Sequence, residues 1–290
     1  MGLSYSTETL EDVSGDIYKI MSYNVEWGFL NVPKDIHSDS CGHLIPGTKL
    51  SSEKHLTLIA KNIGLISPDI CFLQEMGSQN AVDFLTEKIN ILFGVSYKSY
   101  YSNKNEKGYQ GVGLLLRDSI DENCKVENIP NFKLNRALGV TLNTGKKEYK
   151  LIGVHLKSLY DGRYIKDVTE QESEIQAVLD WVNNNPDTII CGDFNNIPNS
   201  SPITKMLKAD YKNALDTDKF LLNIVGNKST EFHGKNGKET GSVIDYMFIT
   251  NTINLVSSHI VNYTREAKVP TKGLRGETSD HLPIVGIFRL

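Results

Sequence analysis

The sequence predicts an α/β chain folded as a four-layer α/β sandwich, with two mixed β-sheets packed face to face and helices outside. Short apolar runs alternate with amphipathic helical patterns along the chain. Two of the runs, RALGVTLNT (136–144) and EYKLIGVHLKS (148–158), are joined by a short Gly-Lys-Lys turn and read as a hairpin, which a uniformly parallel βα array would not contain. The second half of the chain then echoes the first, in the order strand, helix, proline stop and strand.

YKIMSYNV (18–25) reads as a strand by its period-two pattern and β-branched content. After a long polar loop, SSEKHLTLIAKNIGLIS places Leu56, Ile59, Ile63 and Ile66 at helical spacing behind a serine cap. Pro68 stops that helix before the strand DICFLQE. GVGLLLRD (111–118) and the hairpin follow as consecutive strands. EQESEIQAVLDWVNNN repeats the helical pattern through Ile175, Val178, Leu179 and Val182, and Pro186 closes it before TIICGDFN. SPITKML is a short helix, and SVIDYMFI and NLVSSHIV are strands. HLPIVGIFRL is a terminal strand with Pro283 near its start, where proline is tolerated.

The 290 residues include nine prolines and no low-complexity tract, and we expect one domain over 1–290, with 1–16 a flexible N-terminal segment. A net charge of -4 argues against a constitutively basic nucleic-acid coat, while leaving open an enzyme that meets phosphate with bound cations and local Lys or Arg. No segment approaches a membrane span, and the N-terminus lacks a basic start followed by an apolar run. The expectation is a soluble cytoplasmic or other intracellular protein, without stable membrane association and with a monomer favoured; a secreted chain whose signal has been removed is the alternative. Met1-Gly2 with Ser6 loosely matches an acylation signal, which Tyr5 weakens. Cys41, Cys71, Cys124 and Cys191 form no CxxC pair and are read as buried thiols. His37, Cys41 and His43 fit no standard zinc spacing and lack a fourth ligand.

Polar groups recur where the apolar strands end: Asn24, Glu75, His155, Asp193 with Asn195, Asp245, and Asp280 with His281. Strand ends in one layered domain can converge on a single cleft. Glu75 follows a run expected to be buried, so its carboxylate is neutralised, hydrogen-bonded or metal-bound, or else marks an exposed strand end. Glu75, Asn24 and Asp280 supply the oxygen donors that magnesium prefers. In CGDFN, Asp193 and Asn195 share a face if the strand continues, and an Asx turn closing the strand suits the same residues. Asp245 has apolar neighbours on both sides, and its carboxylate needs a proton-bearing partner, for which His281 is the best placed. His155 alternates with Ile152, Val154 and Leu156, so it faces away from their core together with Gly153.

The ordered set YNVEW, QE, VHLKS, GDFN, IDYMFI and SDHLP resembles the endonuclease/exonuclease/phosphatase superfamily, whose fold is that of pancreatic deoxyribonuclease, over nearly the whole chain from Asn24 to His281. The resemblance implies that Asn24 and Glu75 bind a catalytic Mg2+ (Mn2+ as substitute), with Asp280 close to it. It implies that Asp193 and Asn195 position the attacking water and the phosphate, that His155 holds a nonbridging oxygen, and that Asp245 and His281 do acid-base work. VHLKS, Arg163 and the following DWV helix resemble the bacterial-type and extracellular deoxyribonuclease branch more than the lipid or inositol branches. The expected activity is a metal-dependent phosphodiesterase, a nuclease acting on DNA. A phosphatase or phosphodiesterase for a small, lipid-linked or RNA-end phosphate is the alternative.

Lys157, Arg163, Lys272 and Arg275 are the expected substrate-binding residues; the last two belong to a loop with Arg265 and Lys268 that either binds backbone phosphates or is simply solvated. Tyr97, Tyr100, Tyr101 and Tyr109 either stack on a base or sugar or form a strand rim.

Overall fold

A computed structural model of the chain describes residues 15–30, 49–102, 110–159, 164–216, 230–235, 238–261 and 279–290. Most of the N-terminal segment, the loop with His37, Cys41 and His43, and residues Tyr109, Arg163, Arg265, Lys268, Lys272 and Arg275 lie outside the described residues.

The first half comprises strand β1 (Ile17–Gly28), helix α1 (Lys49–Ile66), strand β2 (Ile70–Met76), helix α2 (Gln79–Phe93), and strands β3 (Tyr97–Tyr101) and β4 (Gly111–Arg117). Helix α3 (Asp118–Asp121) leads to β5 (Cys124–Asn128), β6 (Ala137–Asn143) and β7 (Glu148–His155). Then come helix α4 (Tyr164–Val182), β8 (Thr188–Asp193), helix α5 (Ser201–Lys208) and the short β9 (Lys212–Asn213). A hairpin of β10 (Glu231–Lys235) and β11 (Lys238–Ser242) precedes β12 (Asp245–Ile249), β13 (Asn254–Ile260) and β14 (Ile284–Arg289).

The strands form two six-stranded sheets, in the orders β13-β14-β1-β2-β4-β3 and β5-β6-β7-β8-β12-β9. Each is mixed, with one parallel pair at its centre: β1 with β2 in the first, β7 with β8 in the second. Each parallel pair needs a crossover, and the amphipathic helices α1 and α4 supply it. The repeat legible in the sequence is thus a repeat of sheets.

Alternation along the strands separates three cores. Ile20, Phe72 and Leu114 of the first sheet meet Val140, Leu151, Ile189 and Met247 of the second between the sheets. Met21, Cys71, Leu73 and Leu115 face the other way, under Leu56, Ile59 and Ile63 of α1 and Leu85 of α2. Ile152, Val154, Ile190 and Phe248 pack under Ile175 and Val178 of α4 and Ile203 of α5. Phe72 is fully buried, a burial that stabilises the fold by about 2–3 kcal/mol. It lies against Gly153 of the opposite sheet, where a Cβ would stand 2.2 Å from the ring, so the absent side chain is what lets the sheets close. Cys71 and Cys191 are buried thiols and Cys124 is half-buried.

Helix α2 is capped by the Ser78 hydroxyl, which accepts from Ala81 N, and ends at Gly94 in the left-handed region. The tyrosines of β3 are engaged within the fold: Tyr97 donates to Pro68 O, Tyr100 to Asp121 and Tyr101 to Met76 O. They form the strand rim. Among the described residues no helix is long and apolar enough to cross a membrane.

Candidate active site

On β1, Ile20, Ser22 and Asn24 face the second sheet in succession, so the inter-sheet space changes from apolar to polar toward one end. The Ser22 hydroxyl donates to Gln74 Oε1 (3.3 Å) and the Gln74 amide donates back (3.0 Å), forming a buried step between core and site. Strict alternation after Leu73 would send Glu75 under the helices. A register shift between Leu73 and Met76 intervenes, and Glu75 takes a left-handed φ of 63°. Its carboxylate thereby turns to Asn24 Nδ2 (3.2 Å). A matching irregularity on β1 puts Glu26 and Trp27 at φ 47° and 60°, and brings Trp27 N to Glu75 Oε2 at 3.1 Å. Left-handed conformations at such residues cost on the order of 1–2 kcal/mol each, strain of the kind that collects at functional sites.

The second sheet supplies its residues in a row. Parallel register pairs His155 with Asp193, antiparallel register pairs Asp193 with Asp245, and all three side chains face the first sheet. Strand β8 ends at Asp193. Asn195 arrives instead through an Asx turn, with φ 49°, its N–H on Asp193 Oδ1 (2.7 Å), and its Nδ2 on Asp193 Oδ2 (3.2 Å) and Leu156 O (3.0 Å). Of the two readings of CGDFN, the turn is the one observed.

The two rows meet at Asp193. Asn24 Nδ2 reaches its Oδ2 at 3.0 Å, His155 Nε2 lies 3.6 Å away and His281 Nε2 3.9 Å away. His281 Nδ1 is hydrogen-bonded to Asp245 Oδ2 at 2.8 Å, the pairing expected from sequence. Asp280 Oδ1 lies 3.8 Å from His281 Nε2, and its backbone N–H donates to Glu26 Oε2. Lys157 follows directly, with its ammonium on Ser158 O (3.1 Å). All the motif residues therefore converge. Of the four expected substrate-binding residues, Lys157 alone lies within the described residues.

Burial raises the Glu75 carboxyl above its ordinary range and the charge of Asp280 adds to this, against the opposing pull of His281, Asn24 and Trp27 N–H. Burial also holds His155 well below the usual histidine range, reinforced by Arg136, His281 and Lys157, so it is neutral and its approach to Asp193 is not an ion pair. Burial alone would lower His281 too, but Asp245, Asp280 and Asp193 hold it well above that range.

Glu75 and Asp193 share one amide donor, and Asp280 acts on Glu75 by charge, so the set is rich in hard oxygen and short of positive charge. That donor chemistry fits a divalent cation of the magnesium type. Asn24 Oδ1 is engaged by Glu26 N at 3.0 Å and its nitrogen faces the carboxylates, so its service as a ligand requires the amide to turn over. Among the described residues no three acidic, histidine or cysteine groups already form a metal-binding cluster.

Several supporting residues were not singled out from sequence. Gln110 Nε2 donates to Glu75 Oε2 (3.1 Å). Ser279 Oγ donates to Asn24 O (2.7 Å) and accepts from His281 N (3.0 Å). Thr230 Oγ1 accepts from Asp245 N at 3.0 Å. Ser279 lies inside the SDH motif and Glu26 inside YNVEW, so adjacency could have flagged both; Gln110 and Thr230 carry no local signal.

Two facing mixed sheets, with carboxylates, amides and histidines gathered at one end of their interface, define the class of deoxyribonuclease-I-like phosphoester hydrolases. The chain belongs to the endonuclease/exonuclease/phosphatase family, whose family model matches residues 21–281. No curated protein matches it in sequence. Among solved structures it is similar to a humanized D. rerio TDP2, with 18% identity, a TM-score of 0.61, and coverage of 94% of this chain and 99% of that one. D. rerio TDP2 complexed with single strand DNA product gives 17% identity, a TM-score of 0.61 and the same coverages of 94% and 99%. ANGEL2, a 2',3'-cyclic phosphatase, in complex with adenosine-2',3'-vanadate gives 16% identity, a TM-score of 0.63, and coverages of 95% and 96%. At these identities the likeness establishes the fold.

Proposed function

We propose that this chain is a divalent-metal-dependent phosphodiesterase, a nuclease that hydrolyses DNA by in-line attack of an activated water. The observation that carries the reading is the meeting of two rows across the sheets, Asn24 and Glu75 facing His155, Asp193 and Asp245, with His281 held on Asp245 at 2.8 Å. The single-stranded DNA product bound by D. rerio TDP2 supports nucleic acid as the substrate class.

Asn24, Glu75 and Asp280 would hold the cation, which when bound supplies neutralisation of charge on the phosphoryl group. Asp193 accepts a proton from the water as its oxygen bonds to phosphorus. The ester P–O bond opposite then breaks, and His281, held by Asp245, carries the proton for the departing oxygen. The neutral His155 donates a hydrogen bond to a nonbridging oxygen, where charge builds up, and Asn195 Nδ2 does the same on releasing Asp193 Oδ2. The products are a free hydroxyl and a phosphate monoester. Lys157, with Arg163, Lys272 and Arg275, is proposed to meet flanking phosphates.

A second reading, hydrolysis at an RNA end, draws on the likeness to ANGEL2. The test incubates the chain with supercoiled plasmid, single-stranded DNA, RNA and a generic phosphomonoester, in magnesium, manganese or EDTA, beside His281→Ala. Metal-dependent nicking lost in the variant is expected. Intact polymers with phosphate released from the monoester would overturn the nuclease reading.

A further inference from the structure

Helix α4 buries a polar stripe where a crossover helix normally buries an apolar one. Asp167, Gln171 and Glu174 recur at helical spacing and are 2%, 0% and 1% exposed, and Val178 and Val182 continue the stripe as ordinary core. The polar half is the half that meets the chain leaving β7 and β8. Gln171 Nε2 donates to Lys157 O (2.6 Å), Asn195 O (3.3 Å) and Phe194 O (3.4 Å), while its Oε1 accepts from Asn196 Nδ2 (2.9 Å). Glu174 Oε2 accepts from Lys157 N at 2.9 Å. Beyond their sheet, the His155–Lys157 segment and the Asp193–Asn195 turn are therefore gripped by one helix face.

A leucine at either position would anchor a helix without burying amide or carboxyl groups, whose desolvation must be offset by hydrogen bonds. Apart from the Asn196 amide, the partners of Gln171 and Glu174 are backbone atoms at or beside His155, Asp193 and Asn195. Behind them Arg136 is 6% exposed, with Nε and Nη2 unpaired, as is Glu174 Oε1, and its positive charge pulls on the carboxyl against the larger effect of burial. None of these contacts reaches Asn24, Glu75 or Asp280.

We infer that Gln171 and Glu174 are positioning residues, through which α4 sets the spacing between the His155 segment and the Asn195 turn independently of the metal-binding half. The inference rests on the proposed role of His155 and Asn195 as phosphate contacts.

The test compares Gln171→Glu, which puts a carboxylate against three carbonyl oxygens, with Glu174→Ala and Glu174→Gln; the last keeps an oxygen for Lys157 N–H. Amide hydrogen exchange in the metal-free protein is read at Asn195 N–H, bonded to Asp193, and at Trp27 N–H, bonded to Glu75. Exchange at Asn195 should quicken about tenfold or more in Gln171→Glu and Glu174→Ala, return toward wild type in Glu174→Gln, and stay unchanged at Trp27. On bis(p-nitrophenyl) phosphate with manganese, kcat should fall about 30-fold in the two damaging variants, with KM and manganese affinity within about twofold. Equal quickening at both amides, no change at either, or equal impairment of Glu174→Ala and Glu174→Gln would overturn the inference. Should Gln171→Glu not fold, the two Glu174 variants decide alone. A wild type that hydrolyses no phosphoester would sink the proposed function, and the exchange data would still decide whether α4 sets this spacing.

Discussion

Glu174 is a carboxyl group held where charge is unwelcome, and its titration should be written into the stability of the whole chain. Burial pushes it from 4.5 up to about 7, against the pull of Lys157 N–H, Arg136 and Lys133, with Glu170 adding to the rise. Below about pH 4.5 the folded and unfolded chains both carry the proton. Between 4.5 and about 7 the unfolded chain has released it and the folded chain has not, so stability falls with rising pH across that window and levels off above it. At roughly 1.4 kcal/mol per pH step, the gap amounts to about 3 kcal/mol. For a chain of this length that is roughly 6 °C in melting temperature. Glu174→Gln removes the titration and keeps an acceptor for Lys157 N–H. Metal-free wild type and variant are melted side by side from pH 5 to pH 8, and because part of the loss has already occurred at pH 5 the variant should gain on the wild type by roughly 4 °C across the series. A difference that does not change with pH would refute the claim that burial holds this carboxyl neutral in the folded state.

Gly192 has φ 149°, and a Cβ there would stand 2.0 Å from Val154 O, so Gly192→Ala should lower stability by about 3 kcal/mol or more in urea titration. Asp245→Asn removes the carboxylate paired with His281 at 2.8 Å, the charge that does most to raise it, so its pKa, followed by NMR in metal-free protein, should drop markedly, and kcat should fall about 100-fold or more. An unmoved titration would show that Asp245 does not hold the imidazolium. Glu75→Gln relieves both burial of charge and repulsion from Asp280, so the metal-free melting temperature should rise, while manganese should no longer raise it and metal-dependent turnover should be lost. A variant that manganese still stabilises as it does the wild type would remove Glu75 from the metal site.

The strands that carry the motifs were legible because each combines period-two apolar residues with a polar end, and helices α1 and α4 because each repeats a helical apolar spacing up to a proline stop. Helix α2 was not read from its pattern. Its buried face, Ala81, Val82, Leu85 and Ile89, is regular, but exposed Ile91 and Leu92 blur which face is apolar. The pairing of Asp245 with His281 followed from the cost of a carboxylate among apolar neighbours, a local argument that holds whatever the topology. The bulge that turns Glu75 into the cleft left no local sign, because the residues with positive φ, Glu26, Trp27 and Glu75, are not types that favour it. The burial of Gln171 and Glu174 was equally hidden, since their partners are carbonyl and amide groups distant in sequence.

The last strand of the first sheet comes from the far end of the chain: β14 is inserted between β13 and β1. Asn24 and His281, 3.4 Å apart, are separated by 257 positions in sequence. During synthesis, residues 279–290 must clear the ribosome before β1, already able to pair with β2, acquires β14 on its other edge or Asn24 meets His281. A nascent chain that already holds Glu75, His155 and Asp193 is therefore without a complete site, so the cluster assembles only once nearly all of the residues described have been made.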